Sequence, residues 1–276
     1  MAVSRALGVS RSNLYEQRNQ KPRKERVVTD DAWLLPKVEK LVNQRPTYGY
    51  RRITALLRRD LLLEGKPVVN PKRVYRIMKK NGLLLQRYNP RPSRTHDGKI
   101  MTLKSDLRWC SDAFGIQCWN GEQLQVAFVL DCHDREMISW VTSSRGIDGG
   151  LIRDLMTESI EQRFGEVHKL PHRIQWLSDN GPCYVAKQTV FYGKSLGFEI
   201  CTTAPYSPES NGMAEAFVKT FKRDYVYIND LSSAQKVREQ LEHWFEDYNN
   251  EAPHKALKMM PPTKYRESLE KKVSNL

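Results

Sequence analysis

Three carboxylates in the sequence occupy positions where they could act on a substrate rather than serve as ordinary surface charges. Asp112 lies inside a predicted strand, at the end of the segment Trp109–Asp112, although aspartate is depleted in strands. Asp179 directly follows another short apolar strand, and the carboxyl end of a strand is where α/β sheets place their ligands. Glu215 lies in the first turn of a predicted helix. Carboxylates at such positions can hold a divalent cation.

Each of these carboxylates also has an ordinary structural interpretation. Asp179 begins an Asp-Asn-Gly run, which commonly forms a turn, and the helix dipole alone favours Glu215 in a first helical turn. The gap of 35 residues between these two carries little weight, because a chain with 32 acidic residues contains many such pairs. Lys219 and Lys222 follow Glu215 at i+4 and i+7, on one helix face. That face is either a stabilising Glu–Lys pair or a metal ligand beside lysines that hold phosphate.

The elements that must position these residues alternate in type along the second half of the chain. Three strands are predicted first, at Trp109–Trp119, Leu124–Asp131 and Met137–Thr142. The elements predicted after them are helix Ile147–Phe164, strand Arg173–Ser178, helix Val185–Leu196, strand Phe198–Cys201, and helices Met213–Tyr225 and Ser232–Tyr248. This order predicts an α/β fold in which helices cover a mixed five-stranded sheet.

The first hundred residues differ in charge, with 24 basic and 8 acidic side chains against 21 and 24 in the remainder. Three helices are predicted there, over roughly Asp31–Gln44 and Tyr50–Leu63 and after the capping residue Asn70. Their apolar residues repeat with helical spacing, so the opposite faces point to solvent and carry an excess of cations. This excess favours contact with DNA phosphates. The predicted DNA-binding residues on these helices are Arg51, Arg52, Lys72, Arg73, Arg76, Lys79 and Lys80.

Composition excludes several classes of protein. The 276 residues contain no apolar run near the roughly 18 that a membrane span requires, and the N-terminus lacks the hydrophobic core of a signal peptide. The five cysteines are odd in number and form no Cys-x-x-Cys pair, which argues against a disulfide framework or a zinc knuckle. We therefore expect a cytoplasmic, nucleoid-associated protein without a membrane partner.

These observations divide the chain into four predicted parts. Residues 1–27 form a basic segment, which is either a tail or part of a helix-turn-helix. Residues 28–84 form a small all-α, helix-turn-helix-like DNA-binding domain, and residues 85–104 form a linker interrupted by proline and glycine. Residues 105–276 form the α/β domain that carries the three carboxylates, with helices at its C-terminal end.

Several segments of the chain form one ordered set of motifs. In the α/β part they are Trp109–Asp112, Val129–Glu136, Leu177–Gly181, Pro205–Glu215, Tyr248–Asn249, Pro253–His254 and Pro261–Pro262. In the helical part they are Thr47–Arg52 and Lys72–Met78. In this order, the set resembles the second-reading-frame (OrfB-type) transposases of bacterial insertion sequences, which belong to the retroviral integrase superfamily.

The resemblance implies a ribonuclease-H-like integrase catalytic core and a catalytic triad of Asp112, Asp179 and Glu215, with the family's usual gap between the last two. The triad would bind two Mg²⁺ ions, with Asp112 bridging them and with Mn²⁺ as a substitute. The expected chemistry is hydrolysis that exposes a 3′-hydroxyl at the end of the element, followed by attack of that hydroxyl on another strand. Lys219 and Lys222 would hold DNA near the metal ions.

The resemblance also implies double-stranded DNA as the partner, both as the terminal inverted repeats of the element and as its target. Because two ends must be joined in concert, we expect at least a homodimer on DNA. The chain would act either alone or as the rear part of a fusion with an upstream first-reading-frame product. Two alternatives stay open, namely a non-catalytic DNA-binding regulator from a decayed element and a nuclease that cuts without joining. Dependence of DNA cutting on a divalent metal separates the transposase from the regulator.

Overall fold

The computed structural model describes residues 31–86, 102–165, 169–203 and 212–273, together with single positions 8, 10 and 12. The chain divides into two compact units, residues 1–37 and residues 38–276. Most of the predicted segment 1–27, most of the predicted linker and residues 204–211 of the glutamate motif lie outside the described residues. Within the described ranges, no helix has the length and apolar character needed to cross a bilayer.

Within residues 31–86, the helical part of the chain has three α-helices, α1 (Leu35–Gln44), α2 (Tyr50–Leu63) and α3 (Pro71–Lys80). The start of α3 agrees with the sequence prediction, because the Asn70 side chain accepts a hydrogen bond from the backbone N–H of Lys72 at 2.8 Å. Residues that α2 and α3 bury are Ile53, Leu56, Leu57 and Leu61 on α2 and Val74, Ile77 and Met78 on α3. Burial of one face leaves the other face of each helix for charged side chains.

In the described part of the chain, five strands form one mixed sheet in the order β3-β2-β1-β4-β5. The strands are β1 (Arg108–Gln117), β2 (Gln123–Asp131), β3 (Met137–Ser143), β4 (Ile174–Ser178) and β5 (Phe198–Thr202). Consecutive strands β1, β2 and β3 pair antiparallel, whereas β4 pairs parallel with β1 and β5 parallel with β4. The parallel strands follow helical connections, as parallel pairing requires. The predicted mixed five-stranded sheet is therefore confirmed.

Helices cover both faces of this sheet, as an α/β fold with a two-sided core requires. They are α4 (Gly149–Phe164), α5 (Pro182–Val185), α6 (Lys187–Ser195), α7 (Gly212–Asp224), α8 (Ala234–Asn250) and α9 (Pro262–Val273). On one face, α4 packs against strand residues such as Trp109 and Ala127. On the other, α7 and α8 pack through an aromatic cluster in which Phe221 lies 4.6 Å from Phe245 between ring centroids. The helix predicted over Val185–Leu196 is observed as α6, which begins at Lys187 because Ala186 has extended backbone angles and separates it from the unpredicted short helix α5.

Candidate active site

Strands β1 and β4 bring two of the candidate carboxylates to the same place in the sheet. The strands are parallel, with Cys110 opposite Leu177, so two residues further on Asp112 stands level with Asp179, just past the end of β4. Asp112 is half-buried and Asp179 is exposed. Each carboxylate accepts one backbone N–H hydrogen bond, at 2.8 and 2.9 Å respectively, and both line one cavity. The site predicted from the sequence thus contains both aspartates.

The third carboxylate comes from α7, on the face of the sheet that this helix covers. Ala214 and Phe217 are buried in the core and fix the first turn of the helix, while Glu215 is exposed. Burial and the nearby carboxylates of Asp179 and Glu215 raise the pKa of Asp112 to about 6. The two neighbours therefore lie near enough to Asp112 for their negative charges to disfavour its ionised form.

The three carboxylates form an acidic group without a compensating cation in the part of the chain that the structure describes. None of Asp112, Asp179 and Glu215 forms an ion pair there with a lysine, arginine or histidine side chain. No three of the described His, Cys, Asp or Glu side chains stand close enough to surround a metal ion as they are placed. Carboxylate oxygens are nonetheless the donors that Mg²⁺ prefers, and mutual repulsion among them is what a bound cation relieves. The donor set fits a hard divalent cation.

The two lysines that the sequence placed beside Glu215 are on α7 as predicted, but they differ in environment. Lys219 is exposed. The ammonium of Lys222 lies 5.5 Å from the ring centroid of Phe114, two residues after Asp112 on β1, and burial lowers the pKa of this lysine. Asp112 and Phe114 are two residues apart on β1 and therefore project from the same side of the strand. The Lys222 ammonium thus adds positive charge to the side on which Asp112 lies.

The raised pKa of Asp112 predicts a pH-dependent effect on the stability of the metal-free protein. Because about 6 exceeds the ordinary value of about 4, folding favours the protonated form, and the stability it contributes is lost as pH rises through about 6. We therefore expect Asp112→Asn to raise the melting temperature at pH 7.5 by about 2–5 °C and at pH 5 by only about half as much, because pH 5 lies midway between the pKa values of the unfolded and folded states. Thermal unfolding in the presence of a chelator measures both values.

The exposed Asp60 provides the matched control for this measurement. Asp60→Asn makes the same chemical change far along the chain from the site, so it should shift the melting temperature equally little at both pH values. An Asp112→Asn shift that did not depend on pH would contradict the assigned pKa.

The basic residues predicted to bind DNA are divided by the structure into different environments. On α3, the side chains of Lys72, Arg76, Lys79 and Lys80 are exposed and Arg73 is half-buried. On α2, Arg51 is exposed and donates a hydrogen bond to the hydroxyl of Tyr50 at 3.1 Å. Arg52 is only 19% exposed and forms an ion pair with Asp224 at 2.6 Å. The prediction of DNA contact for Arg52 therefore competes with an intramolecular role.

Arg52 belongs to a set of contacts that join the helical part to the α/β part, here called the interdomain joint, which comprises Arg45, Thr47, Arg52, Asp224 and Asp247. Asp224, at the end of α7, accepts hydrogen bonds from the guanidinium of Arg52 and from the Thr47 hydroxyl at 2.7 Å. Asp247, on α8, accepts two hydrogen bonds from the guanidinium of Arg45. Such paired arginine–carboxylate geometry is stronger than a single neutral hydrogen bond.

Sequence reasoning missed the interdomain joint, although it singled out the segment Thr47–Arg52. The only signal was the presence of Asp224 and Asp247 at buried positions of two amphipathic helices, where unpaired aspartate is rare. That signal shows that a partner is needed but does not say which of the many arginines supplies it.

A five-stranded mixed sheet covered by helices on both faces is the fold of an integrase-type core domain. Residues 103–208 and 196–262 match the integrase core domain family, and residues 29–91 match the HTH-like domain family. The intasome of simian T-cell lymphotropic virus, solved in complex with PP2A regulatory subunit B56 gamma, shares this fold with a TM-score of 0.51 and 16% identity. That match covers 83% of this chain and 74% of the viral one.

Curated relatives narrow the class to one family. The chain is 45% identical over 240 residues to the transposase InsD for insertion element IS2A/D/F/H/I/K of Escherichia coli, covering 86% of this chain and 79% of that protein. The transposase InsD for insertion element IS2-9 of Escherichia coli strain K12 shows the same identity, with 78% of its length covered. The chain belongs to the second-reading-frame transposases of bacterial insertion elements, with an integrase core and an HTH-like domain. The resemblance and the fold class predicted from the sequence are confirmed.

Proposed function

We propose that this transposase binds the ends of its insertion sequence and catalyses metal-dependent 3′-end cleavage and strand transfer through Asp112, Asp179 and Glu215. The observation that carries the proposal is that Asp112 lies level with Asp179 beside the end of β4, where burial and the charges of Asp179 and Glu215 raise the pKa of Asp112. Perturbed carboxylates of this kind cluster at functional sites more often than at random positions. The position of Glu215 in the first turn of α7 adds support. Ala214 and Phe217 are buried beside it, and their packing fixes the position of the Glu215 backbone.

Asp112, Asp179 and Glu215 would hold two Mg²⁺ ions, for which Mn²⁺ could substitute. When bound, such ions neutralise charge on the phosphodiester and make a bound water a better nucleophile at neutral pH. Asp112, as the half-buried member, would be the central ligand, because burial and both other carboxylates disfavour its charge until a cation is bound. Lys219 and Lys222 would hold the DNA backbone on the side of α7 that faces these carboxylates.

The test is a cleavage-and-joining assay with the full chain and a labelled duplex that carries the DNA flanking its reading frame. Wild type and Glu215→Gln are compared with Mg²⁺, with Mn²⁺ and with a chelator. We expect metal-dependent exposure of a 3′-hydroxyl and joined products with wild type alone. DNA binding without cleavage would support the regulator, or an enzyme that lacks an upstream fused segment, and cleavage without joining would support a nuclease.

Within this proposal, α3 supplies the main contact with the ends of the element. Its exposed cations repeat along one helix face from Lys72 to Lys80, and such a stripe matches the spacing of phosphates along a groove. Arg51 and Arg73 would contribute at the margin of this stripe, whereas Arg52 is held by Asp224.

Arg76, in the middle of the α3 stripe, gives a direct test of this assignment. We expect Arg76→Ala to weaken binding of the flanking duplex by about tenfold at low salt, because one phosphate contact is lost. Cleavage at saturating DNA should change by less than about twofold, because Arg76 does not touch the reacting atoms. Fluorescence anisotropy and single-turnover cleavage measure the two quantities. A slower cleavage rate with unchanged affinity for the duplex would contradict the assignment of Arg76 to DNA binding.

Two copies of the chain on DNA, and association with the nucleoid in the cytoplasm, follow as further parts of the proposal. Joining two element ends in concert requires two active sites in one complex. The chain would act either alone or as the rear part of a fusion with the upstream first-reading-frame product. Light scattering of the DNA complex, with and without that upstream product, distinguishes these states.

A further inference from the structure

A groove with a volume of about 420 Å³ begins at Asp112 and Asp179 and continues along the β1–β2 hairpin. It is called the β1 groove here, and the residues that define it besides the aspartates are Gln123, Gln125, Arg145, Cys183 and Tyr184. Gln125 is two residues from Ala127 on β2 and therefore shares its face of the sheet, and Ala127 packs under α4, so the groove lies on the α4 side. From Asp112 and Asp179, the groove therefore runs along the α4 face of the sheet, whereas α7 with Lys219 and Lys222 covers the opposite face.

One wall of the β1 groove is the edge of β1 itself. β1 pairs with β4 only over Arg108–Cys110, and β4 ends at Ser178. Among the described residues, the stretch of β1 beyond Asp112 therefore has no ladder partner on that side. This leaves an open channel next to the carboxylates where the neighbouring strand would otherwise run.

Gly115 allows two amide side chains to lie across this part of β1. A Cβ atom at Gly115 would come within 3.0 Å of the Gln125 side-chain nitrogen and within 3.1 Å of that of Gln123. Any larger residue would push these amides away from the strand. Because Gly115 has no side chain, the amides of Gln123 and Gln125 can lie against β1. These amides line the groove with groups that both donate and accept hydrogen bonds.

The opposite rim carries a cation. Arg145, in the connection between β3 and α4, is exposed, and only its backbone N–H is engaged, in a 3.1 Å hydrogen bond to the Ser143 hydroxyl. In the described part of the chain its guanidinium has no carboxylate partner. Asp112 and Asp179 are the acidic groups among the described residues that line the groove, and they lie at its end. Beyond them the groove is cationic and amide-lined.

We propose that the β1 groove binds the DNA strand on one side of the scissile phosphate, with Arg145 on a backbone phosphate and Gln123 and Gln125 on sugar or base edges. The inference rests on the proposed function, because that function places the scissile phosphate at Asp112 and Asp179. A guanidinium suits a phosphate by charge and geometry, and amides suit sugar and base edges. The rim residues Gln123 and Arg145 are exposed, so a polymer can enter from the side.

A native cysteine allows the proposal to be tested on the unmodified full chain, independently of cleavage. Cys183 lines the β1 groove and is half-buried, and Cys201 on β5 is half-buried but outside the groove. Burial raises the pKa of both thiols, so each labelling rate is compared with and without DNA for the same cysteine. N-ethylmaleimide labelling, read for each cysteine by mass spectrometry, reports whether DNA covers the groove.

We expect saturating flanking duplex to slow labelling of Cys183 at least fivefold and to change labelling of Cys201 less than twofold. Arg145→Ala should remove most of the protection of Cys183. The matched control is Arg173→Ala, because the Arg173 side chain is 76% exposed and lies at the other end of β4. It should leave the protection intact. Equal labelling of Cys183 with and without bound DNA would overturn the proposal.

A kinetic measurement separates this groove from the α3 contact. Because Arg145 would orient the strand at the reacting phosphate, Arg145→Ala should slow single-turnover cleavage at saturating DNA by about tenfold. The affinity for duplex should change less than about threefold, since α3 dominates it, and Arg145→Lys should recover part of the rate. This pattern is the opposite of that expected for Arg76→Ala.

The two measurements also separate failure of this inference from failure of the proposed function. If wild type shows no metal-dependent cleavage, either alone or fused to the upstream first-reading-frame product, the proposed function fails and the labelling of Cys183 alone decides whether DNA occupies the groove. If wild type cleaves but Arg145→Ala matches Arg173→Ala in rate and in labelling, the groove inference fails while the proposed function stands.

Discussion

Asp112→Asn, Asp179→Asn and Glu215→Gln should each reduce DNA cleavage by at least about 1000-fold, because an amide cannot supply the anionic oxygen that a hard divalent cation requires. The affinity for duplex DNA should stay within about threefold of wild type or become tighter, since each change removes a negative charge near the phosphates. Loss of chemistry with retained binding is the signature of residues that act on the reacting atoms.

Single-turnover cleavage of a labelled flanking duplex in Mg²⁺ measures the rate, and fluorescence anisotropy measures the affinity. Asp60→Asn and Glu242→Gln, at exposed positions, provide matched controls with the same chemical changes and should keep the wild-type rate. Unfolding does not account for a loss in Asp112→Asn, since this variant is expected to melt at a higher temperature at pH 7.5. Activity that survived in Glu215→Gln would refute the triad.

Asp224→Ala should lower the free energy of unfolding by about 1–3 kcal/mol, because it leaves the half-buried guanidinium of Arg52 and the Thr47 hydroxyl without their carboxylate partner. The Asp224 side chain is 2% exposed and lies between Arg52 of α2 and the neighbouring Arg223. Burial alone would raise the pKa of Asp224, but Arg223 and Arg52 hold it below its usual value. Its contribution to stability is therefore present at neutral pH and is lost as the pH falls below about 4.

Urea denaturation of the full chain at pH 7.5 measures this effect. The control is Glu64→Ala, which removes one partner of the exposed pair Lys66–Glu64 and should cost less than about 1 kcal/mol. Asp224→Asn, which preserves side-chain volume, separates the loss of charge from the creation of a cavity. If Asp224→Ala cost no more than Glu64→Ala, the interdomain joint would not hold the helical part against the helix that carries Glu215.

Much of the fold could be predicted from the sequence because its elements have clear local periodicity. The helix predicted over Met213–Tyr225 is observed over Gly212–Asp224, and the strand predicted over Leu124–Asp131 is observed over Gln123–Asp131. Apolar spacing of 2 or 3.6 residues decides element type locally, without reference to the rest of the chain. The break at Ala186 was missed because that segment has a continuous helical pattern.

The site could be predicted only in part. The strand context of Asp112 and the motif around Asp179 identify the two residues, but their proximity depends on parallel pairing between β1 and β4. That pairing joins segments far apart in sequence through a crossover, which local patterns do not encode. The β1 groove depends on the same feature, because β4 ends early and leaves an edge of β1 without a partner in the described structure.

The sequence by itself determined the family, the order of strands and helices, and the excess of positive charge in the first hundred residues. Only the tertiary structure decided what each cation does. Arg52 and Arg76 are equivalent in the sequence, as basic residues on helices of one DNA-binding module. The structure places Arg52 against Asp224, 172 positions away, and leaves Arg76 exposed. A charge pattern records how many cations a helix carries, whereas the fold alone determines which of them meets a buried carboxylate.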